Sequence, residues 1–457
     1  MLAIKFLIVS LAGFLMCSGV ANLVLADEPP RRLNLQQSLQ LAWKANPSLQ
    51  ISRVEELIAG QEVVRARSGL LPHVQADASQ TIYDNPVKVQ VRGLETPIGP
   101  APRVSTSFPM TNKNFWTTGV TVDQTLFDLG TISRYQAAVL GKAATRLDTA
   151  QVRDNLFLNV CQGYFRVLRA EKMVIVAEQE VKQLKEHLSD TRNLYEFGLV
   201  TFNDVLQAEV ALSDAEQRLI TAKNDVTNLK SALNKVMGLP VPTPITLAEE
   251  NKLVTPALDL EQASETALKQ RSDLEAAKRR IEQGEKNITQ AKSGYFPRVF
   301  LQAGHTFQQN DSWLHEHQYF AIFGMQWSLF SGFDTRAQVN QARQRLQQLH
   351  LQRQDLTEQI RLDVQTAYLG LKETAERIRV TEKAVAQGEE NLRLNNERYK
   401  EQVGTATDVL DAQTLLTRAR VNFFNAHYDH QMAKAQMLWA MGGITELVDN
   451  KNAENVP

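Results

Sequence analysis

The sequence predicts a mainly α-helical protein with a membrane β component, built from two similar halves. Three observations predict it: a long stretch written twice, two proline-free helical runs of unusual length, and four short segments whose apolar residues alternate.

The duplication is clearest where "YEFGLVTFNDVLQAEVAL" from Tyr195 meets "YKEQVGTATDVLDAQTLL" from Tyr399. Seven of eighteen positions are identical at an offset of 204, including Thr201 with Thr405 and Asp204-Val205-Leu206 with Asp408-Val409-Leu410. The same offset joins Tyr164 to Tyr368 and Met237-Gly238 to Met441-Gly442. Earlier in the chain it becomes 225, matching Leu35, Ala42, Leu49 and Pro72 to Leu260, Ala267, Leu274 and Pro297. The change of offset implies an insertion between Pro72 and Leu126. Repeats this long indicate two halves packed about a shared axis. We expect a first half at 27–250, a second at 251–445 and a flexible tail at 446–457.

Residues 1–26 combine Lys5, an apolar core and the small-residue site Val24-Leu25-Ala26, which reads as a secretory signal cleaved after Ala26. An uncleaved anchor is the alternative; a lipoprotein signal at Cys17 is disfavoured by Met16. Cleavage leaves Cys161 as the only cysteine, so no intramolecular disulfide can form. A net charge of −1 argues against nucleic acid as a partner. Beyond the signal no apolar run is long enough for a spanning helix, and the mean hydropathy of −0.29 fits a soluble protein or a β-barrel equally.

From Asp334 to Tyr399 there is no proline, and Val339, Ala342, Leu346, Leu349, Leu356, Ile360, Val364, Ala367, Leu371 and Ile378 recur at steps of three and four with a stutter near Ile360. Arg353 falls on that seam, which a broad bundle tolerates better than a dry dimeric coil. The first half has an equivalent run over 133–194, interrupted by Gly141 and Gly163. Some sixty-five helical residues reach about 95 Å.

Between the helices lie "HVQADASQTIY", "WTTGVTVDQTLF", "RVFLQAGHTF" and "YFAIFGMQWSLF". Val74, Ala76, Ala78 and Ile82 share one face of the first, Trp116, Val120, Val122 and Leu126 one face of the second. Val299, Leu301, Ala303 and Phe307 share a face of the third, and Tyr319 through Leu329 at every second residue a face of the fourth. Each is long enough for a tilted strand to cross a bilayer, with aromatics near the ends. The plainer reading is two soluble hairpins, at about 73–127 and 298–330. Residues 84–115 hold five prolines and read as a long exposed loop, expected outside the cell; "QNDSWLHEHQ" is its short counterpart. Four strands cannot close a barrel, and an open edge in lipid leaves backbone groups unpaired at several kcal/mol each. Several copies must share one barrel, and three would supply twelve strands.

With these features the chain resembles the TolC-like outer membrane efflux protein family, from "LNLQQSLQLAWKANPSLQ" through "MLWAMGG". The duplicated entries "LFDLGTISRYQAA" and "LFSGFDTRAQVNQA" and the pair "GLVTFNDVL" and "VGTATDVLDAQ" carry the resemblance. It implies a homotrimer with a twelve-stranded β-barrel, four strands per protomer, in the outer membrane of a Gram-negative bacterium. A long periplasmic α-helical barrel continues it, and "LPVPTPITLAEENKLVTPALDL" crosses between the halves in an equatorial band. It also implies a periplasmic adaptor (membrane fusion) protein and, through it, an inner-membrane pump or ABC transporter as partners.

By the same resemblance the two repeated windows are the periplasmic turns, where each helix hairpin reverses. Gly198, Leu199, Val200, Thr201, Val403, Gly404 and Thr405 are then the turn residues that contact the adaptor. Asp408 and Asp411 would face the lumen at its narrow end, six carboxylates in a trimer, which would attract cations and resist full ionisation. Tyr399 and Asp204 match positions that link neighbouring hairpins in the closed state. A basic residue frequent in the second turn is replaced here near Gly404. The residues themselves leave a plainer reading open for Asp204 and Asp408: a carboxylate at a helix start that caps free N–H groups.

No catalytic constellation, cofactor motif or metal spacing is visible; "HEH" at 315–317 falls in an expected loop. We therefore expect no enzyme and no cofactor. The leading expectation is a passive exit duct for efflux or type I secretion; the alternative is a non-conducting trimeric spacer or adhesin stalk.

Overall fold

A computed structural model describes residues 31–91, 106–249, 253–254, 259–311 and 314–449; the signal sequence expected at 1–26 lies outside them. The chain runs β1 (Arg31–Leu33), α1 (Leu35–Ala45), α2 (Pro47–Ser68), β2 (His73–Ile82), β3 (Lys88–Val91), β4 (Thr106–Pro109), β5 (Asn114–Phe127), α3 (Leu129–Glu196) and α4 (Phe202–Met237). The second half follows as β6 (Ile245–Leu247), α5 (Leu260–Gln270), α6 (Ser272–Lys292), β7 (Arg298–Gln308), β8 (His317–Gln326), α7 (Asp334–Lys400), α8 (Ala406–Ala440) and α9 (Glu446–Asp449). The repeat is visible throughout: long helices of 68 and 67 residues return through helices of 36 and 35.

The four long strands form one antiparallel sheet in the order β2-β5-β7-β8. Its register places Ala76, Val120, His305 and Tyr319 in one row and Val74, Val122, Ala303 and Ala321 in the next. The side chains read as one apolar face thus share a face, because alternation matches the pleat across all four strands. Near Phe127 the pairing slips by one residue, a bulge where β5 bends into α3. Opposite this face the first hairpin is polar, with Gln75, Asp77 and Thr121, while the second carries Phe300 and Phe320, whose rings lie over Gly324 and Gly304. Each of these glycines leaves the space that the aromatic ring across the ladder fills.

Three details differ from expectation. The insertion is not loop throughout, since β3 and β4 pair as a short antiparallel ribbon; the tip at 92–105 lies outside the described residues. His317 is the first residue of β8, not part of the loop. The tail expected from residue 446 begins as α9, whose Leu447 and Val448 pack against the main core.

Below the sheet the helices stand side by side. In the upper half the neighbours run α2-α3-α6-α7, and in the lower half α4-α3-α8-α7. The expected seam on α7 is real: Val339, Ile360, Val364 and Ala367 are buried, whereas Arg353 is exposed. Between the two halves of the rod sits the largest core, built on Leu39, Leu49, Val160, Tyr164, Phe165, Ile360, Val364 and Leu438. There β1 pairs in parallel with β6, and the Tyr164 hydroxyl donates to Ala248 and Leu33 main-chain oxygens, tying this equatorial band to α3.

Candidate functional site

The end of the rod remote from the sheet holds both turns. Each return helix opens with the same device. Thr201 N–H and Oγ1 donate to Asp204 Oδ2 at 2.9 and 2.8 Å, and Asp204 N–H donates back to Thr201 Oγ1 at 3.4 Å. Thr405 and Asp408 repeat it at 2.9, 2.8 and 3.2 Å. Both are reciprocal capping boxes, with the carboxylate in the positive first turn of the helix. The contacts to Thr405 hold the Asp408 carboxyl below the usual carboxylate range.

The turns enter these boxes differently. In the first, Gly198 takes a left-handed conformation with φ 73°, and Leu199 N–H closes onto Leu194 O. In the second, the equivalent residue is Gln402, at φ 62°, and both Val403 and Gly404 N–H bond to Arg398 O. A glycine takes the left-handed position only in the first turn. Gly404 instead lies against Arg398 and Tyr399, where a Cβ would stand about 3.2 Å from the Arg398 Cβ. Leu199 and Val403 are exposed with Phe197 and Phe202 as an apolar rim, while Val200 folds back onto a small core of Leu392, Val409, Ala412 and Leu416.

Tyr399 belongs to that core, with its hydroxyl donating to Thr191 Oγ1 of α3 at 3.2 Å. It therefore joins the two hairpins of one chain. Asp204 is engaged in its own capping box. Burial, with the charges of Asp204 and Asp190 nearby, pushes the Tyr399 phenol up. Asp408 and Asp411 are exposed at the start of α8, while Val409 and Ala412 between and after them are buried.

His187 was not anticipated. Its ring lies 5.3 Å from that of Tyr399, it is buried, and among the described residues its Nε2 has no hydrogen-bond partner. Burial pushes its pKa down, against the opposing pull of Asp190. It lines a cavity of about 180 Å³ between α3, α7 and α8, with Asp190, Asn396, Lys400 and Gln413. Leu184, His187, Leu188 and Thr191 recur at steps of three and four, the spacing that could have found this face in the sequence.

The family model described as "Outer membrane efflux protein" matches residues 38–239 and 263–443. The chain is 24% identical over 448 residues to outer membrane protein TolC of Escherichia coli K12, covering 94% of this chain and 85% of that one. It is 21% identical over 434 residues to the proteases secretion protein PrtF of Dickeya chrysanthemi, covering 93% and 91%. In three dimensions it superimposes on the outer membrane protein VceC of Vibrio cholerae with a TM-score of 0.75 at 19% identity, covering 90% of this chain and 96% of that one.

Proposed function

The chain belongs to the outer membrane efflux protein family, and from that premise we propose that it is the outer-membrane exit duct of an efflux pump or type I secretion system. Three copies would close one twelve-stranded barrel and one helical tube, fed by an inner-membrane pump through a periplasmic adaptor. One observation carries this reading: the sheet and the helix row are open on the same two sides. Among the described residues β2 and β8 have no further strand partner, and α2, α4 and α7 end the rows beneath them with Ile51, Val54, Ile220, Leu362 and Val380 exposed. An unpaired strand edge cannot stay in lipid. A head-to-tail contact between such edges, repeated by rotation, closes into a ring.

The tip is the proposed gate. Asp411 and Asp408 would ring the narrow end, Tyr399 would hold the two hairpins of a chain together, and Asp204 would order the first return helix. The exposed rim at Leu199 and Val403, with Gly198, Val200, Thr201, Gly404 and Thr405 shaping it, is the surface offered to the adaptor. Because Asp408 also caps α8, Asp411 is the cleaner test. Purified protein in detergent should have three times the mass of one chain and should conduct as single channels in a planar bilayer. Asp411→Ala should raise conductance and weaken block by multivalent cations from the tip side, with the assembly intact. A stable monodisperse monomer would sink the duct; unchanged block would sink only the gate.

A further inference from the structure

We propose that His305 and His317 form a two-imidazole site for a divalent transition-metal ion, with Cu2+ the preferred occupant, at the loop end of the β7–β8 hairpin. His305 pairs with Tyr319 and Phe307 with His317, so the two histidines are diagonal neighbours on one face of the sheet. His305 Nε2 and His317 Nδ1 lie 3.1 Å apart, with ring centroids at 5.3 Å. Two nitrogens each about 2.0–2.1 Å from one metal ion, at angles between square and tetrahedral, stand roughly 2.8–3.4 Å apart. The separation already present is therefore a chelating bite. The two strands are paired from Arg298 with Gln326 up to Phe307 with His317, so binding needs only a rotation of two side chains.

The surroundings favour the ion over the simple ring-to-ring hydrogen bond. Phe307 lies 4.9 Å from the His317 ring and Tyr319 lies 4.6 Å from the His305 ring, walls that restrict both imidazoles to the shared side. A neutral N–H···N bond at an exposed position contributes only about 1 kcal/mol, little to displace. Glu316 does not complete the set: its Oε1 accepts from Asn310 N–H at 3.3 Å. Among the described residues no group of three or more histidine, cysteine or acidic side chains converges. Water must fill the remaining positions, which selects the ion that binds imidazole most strongly with fewest protein ligands. That ion is Cu2+, ahead of Zn2+ and Ni2+ in the affinity order. Occupancy would staple β7 to β8 beneath their loop.

The test uses the full protein purified without a polyhistidine tag, titrated with Cu2+ and read by electron paramagnetic resonance. One ion per chain with hyperfine structure from two nitrogens is expected. His317→Gln and His305→Gln should each weaken binding roughly tenfold or more and leave at most one nitrogen. His73→Gln, at the opposite end of β2 and on the other face, should bind as the unaltered protein does. Should the variants assemble poorly, Cu2+ added to the unaltered protein should shield His305 and His317 from diethyl pyrocarbonate, as read by mass spectrometry. Unchanged binding in both histidine variants, or no shielding, would overturn the site.

Discussion

Gln402 and His187 each depart from what their surroundings would prefer. Left-handed backbone at a residue with a side chain costs roughly 1–2 kcal/mol, and Gln402 adopts it at φ 62° where the first turn has Gly198. Gln402→Gly should relieve part of that cost, offset by the freer unfolded chain, for a net gain of roughly 0.5–1 kcal/mol. Slower hydrogen exchange at the Val403 and Gly404 amides would show it. For His187 the folded protein binds a proton less readily than the unfolded chain, because the ring is buried without a partner for Nε2. Its contribution is complete above the ordinary histidine value of about 6.5 and is lost as pH falls below it. The contact between the hairpins should therefore loosen in mild acid. His187→Phe should flatten that dependence between pH 5 and 7, measured as hydrogen exchange around Thr191 and Tyr399. An identical pH profile in the variant would refute this. Asp408 acts in a different window: its carboxyl is held low by Thr405, so its share persists until pH falls through the ordinary carboxylate range.

The helices show why the duplicated signals were readable. Gly238 and Gly442 end the two return helices in left-handed conformations, and each lies against the junction of two short helices, Ala45-Asn46 in one half and Gln270-Arg271 in the other. Their repeat in the sequence reflects one packing solution used twice. The halves then diverge. Asn46 caps α2 through Leu49 N–H, whereas Arg271 offers α6 no cap and instead reaches Asp273 and Asp363 at 2.6 and 2.8 Å while stacking on Trp439. Arg271 is almost fully buried among these partners. Arg271→Met keeps the stem but strands two acids, and should destabilise the equatorial core by roughly 3–5 kcal/mol. A fall in the thermal midpoint with the tip's exchange unchanged would place the loss at the equator. The capping boxes are legible from T-x-x-D alone, so the plainer reading of Asp204 and Asp408 holds as a description of what they bond; it leaves Asp411 to carry the electrostatic argument.

At the scale of the whole molecule, single-chain burial is incomplete: among the described residues the sheet ends at β2 and β8 without further strand partners and the helix row ends in apolar sides. Ile220 on α4 and Val380 on α7 are 70% and 63% exposed. If these sides meet in a trimer, Ile220→Glu with Val380→Glu should lose roughly 1.5–3 kcal/mol per buried side chain. The double variant should run as smaller species in detergent while circular dichroism stays helical. Retained trimer would place the contact elsewhere on these helices. A tag at Gly99 should be reached by antibody on intact cells if the insertion faces outward; that position lies outside the described residues.

The duplication, the two rods, the four strands and the face each strand shows were decided by the sequence alone. Periods of two and of three to four residues are local properties, set by how backbone geometry aims successive side chains. The family followed from the order of those local signals. What the tertiary structure decided was every contact between segments distant in the chain. Tyr399 bonds to Thr191 across the two hairpins, while the Asp204 carboxylate is taken up by Thr201 in its own capping box. The meeting of His305 with His317 depends on strand register, and the unpartnered nitrogen of His187 on which ring packs across from it. Such contacts are fixed by packing in three dimensions, and no spacing along one chain encodes the distance between two side chains that meet only after folding.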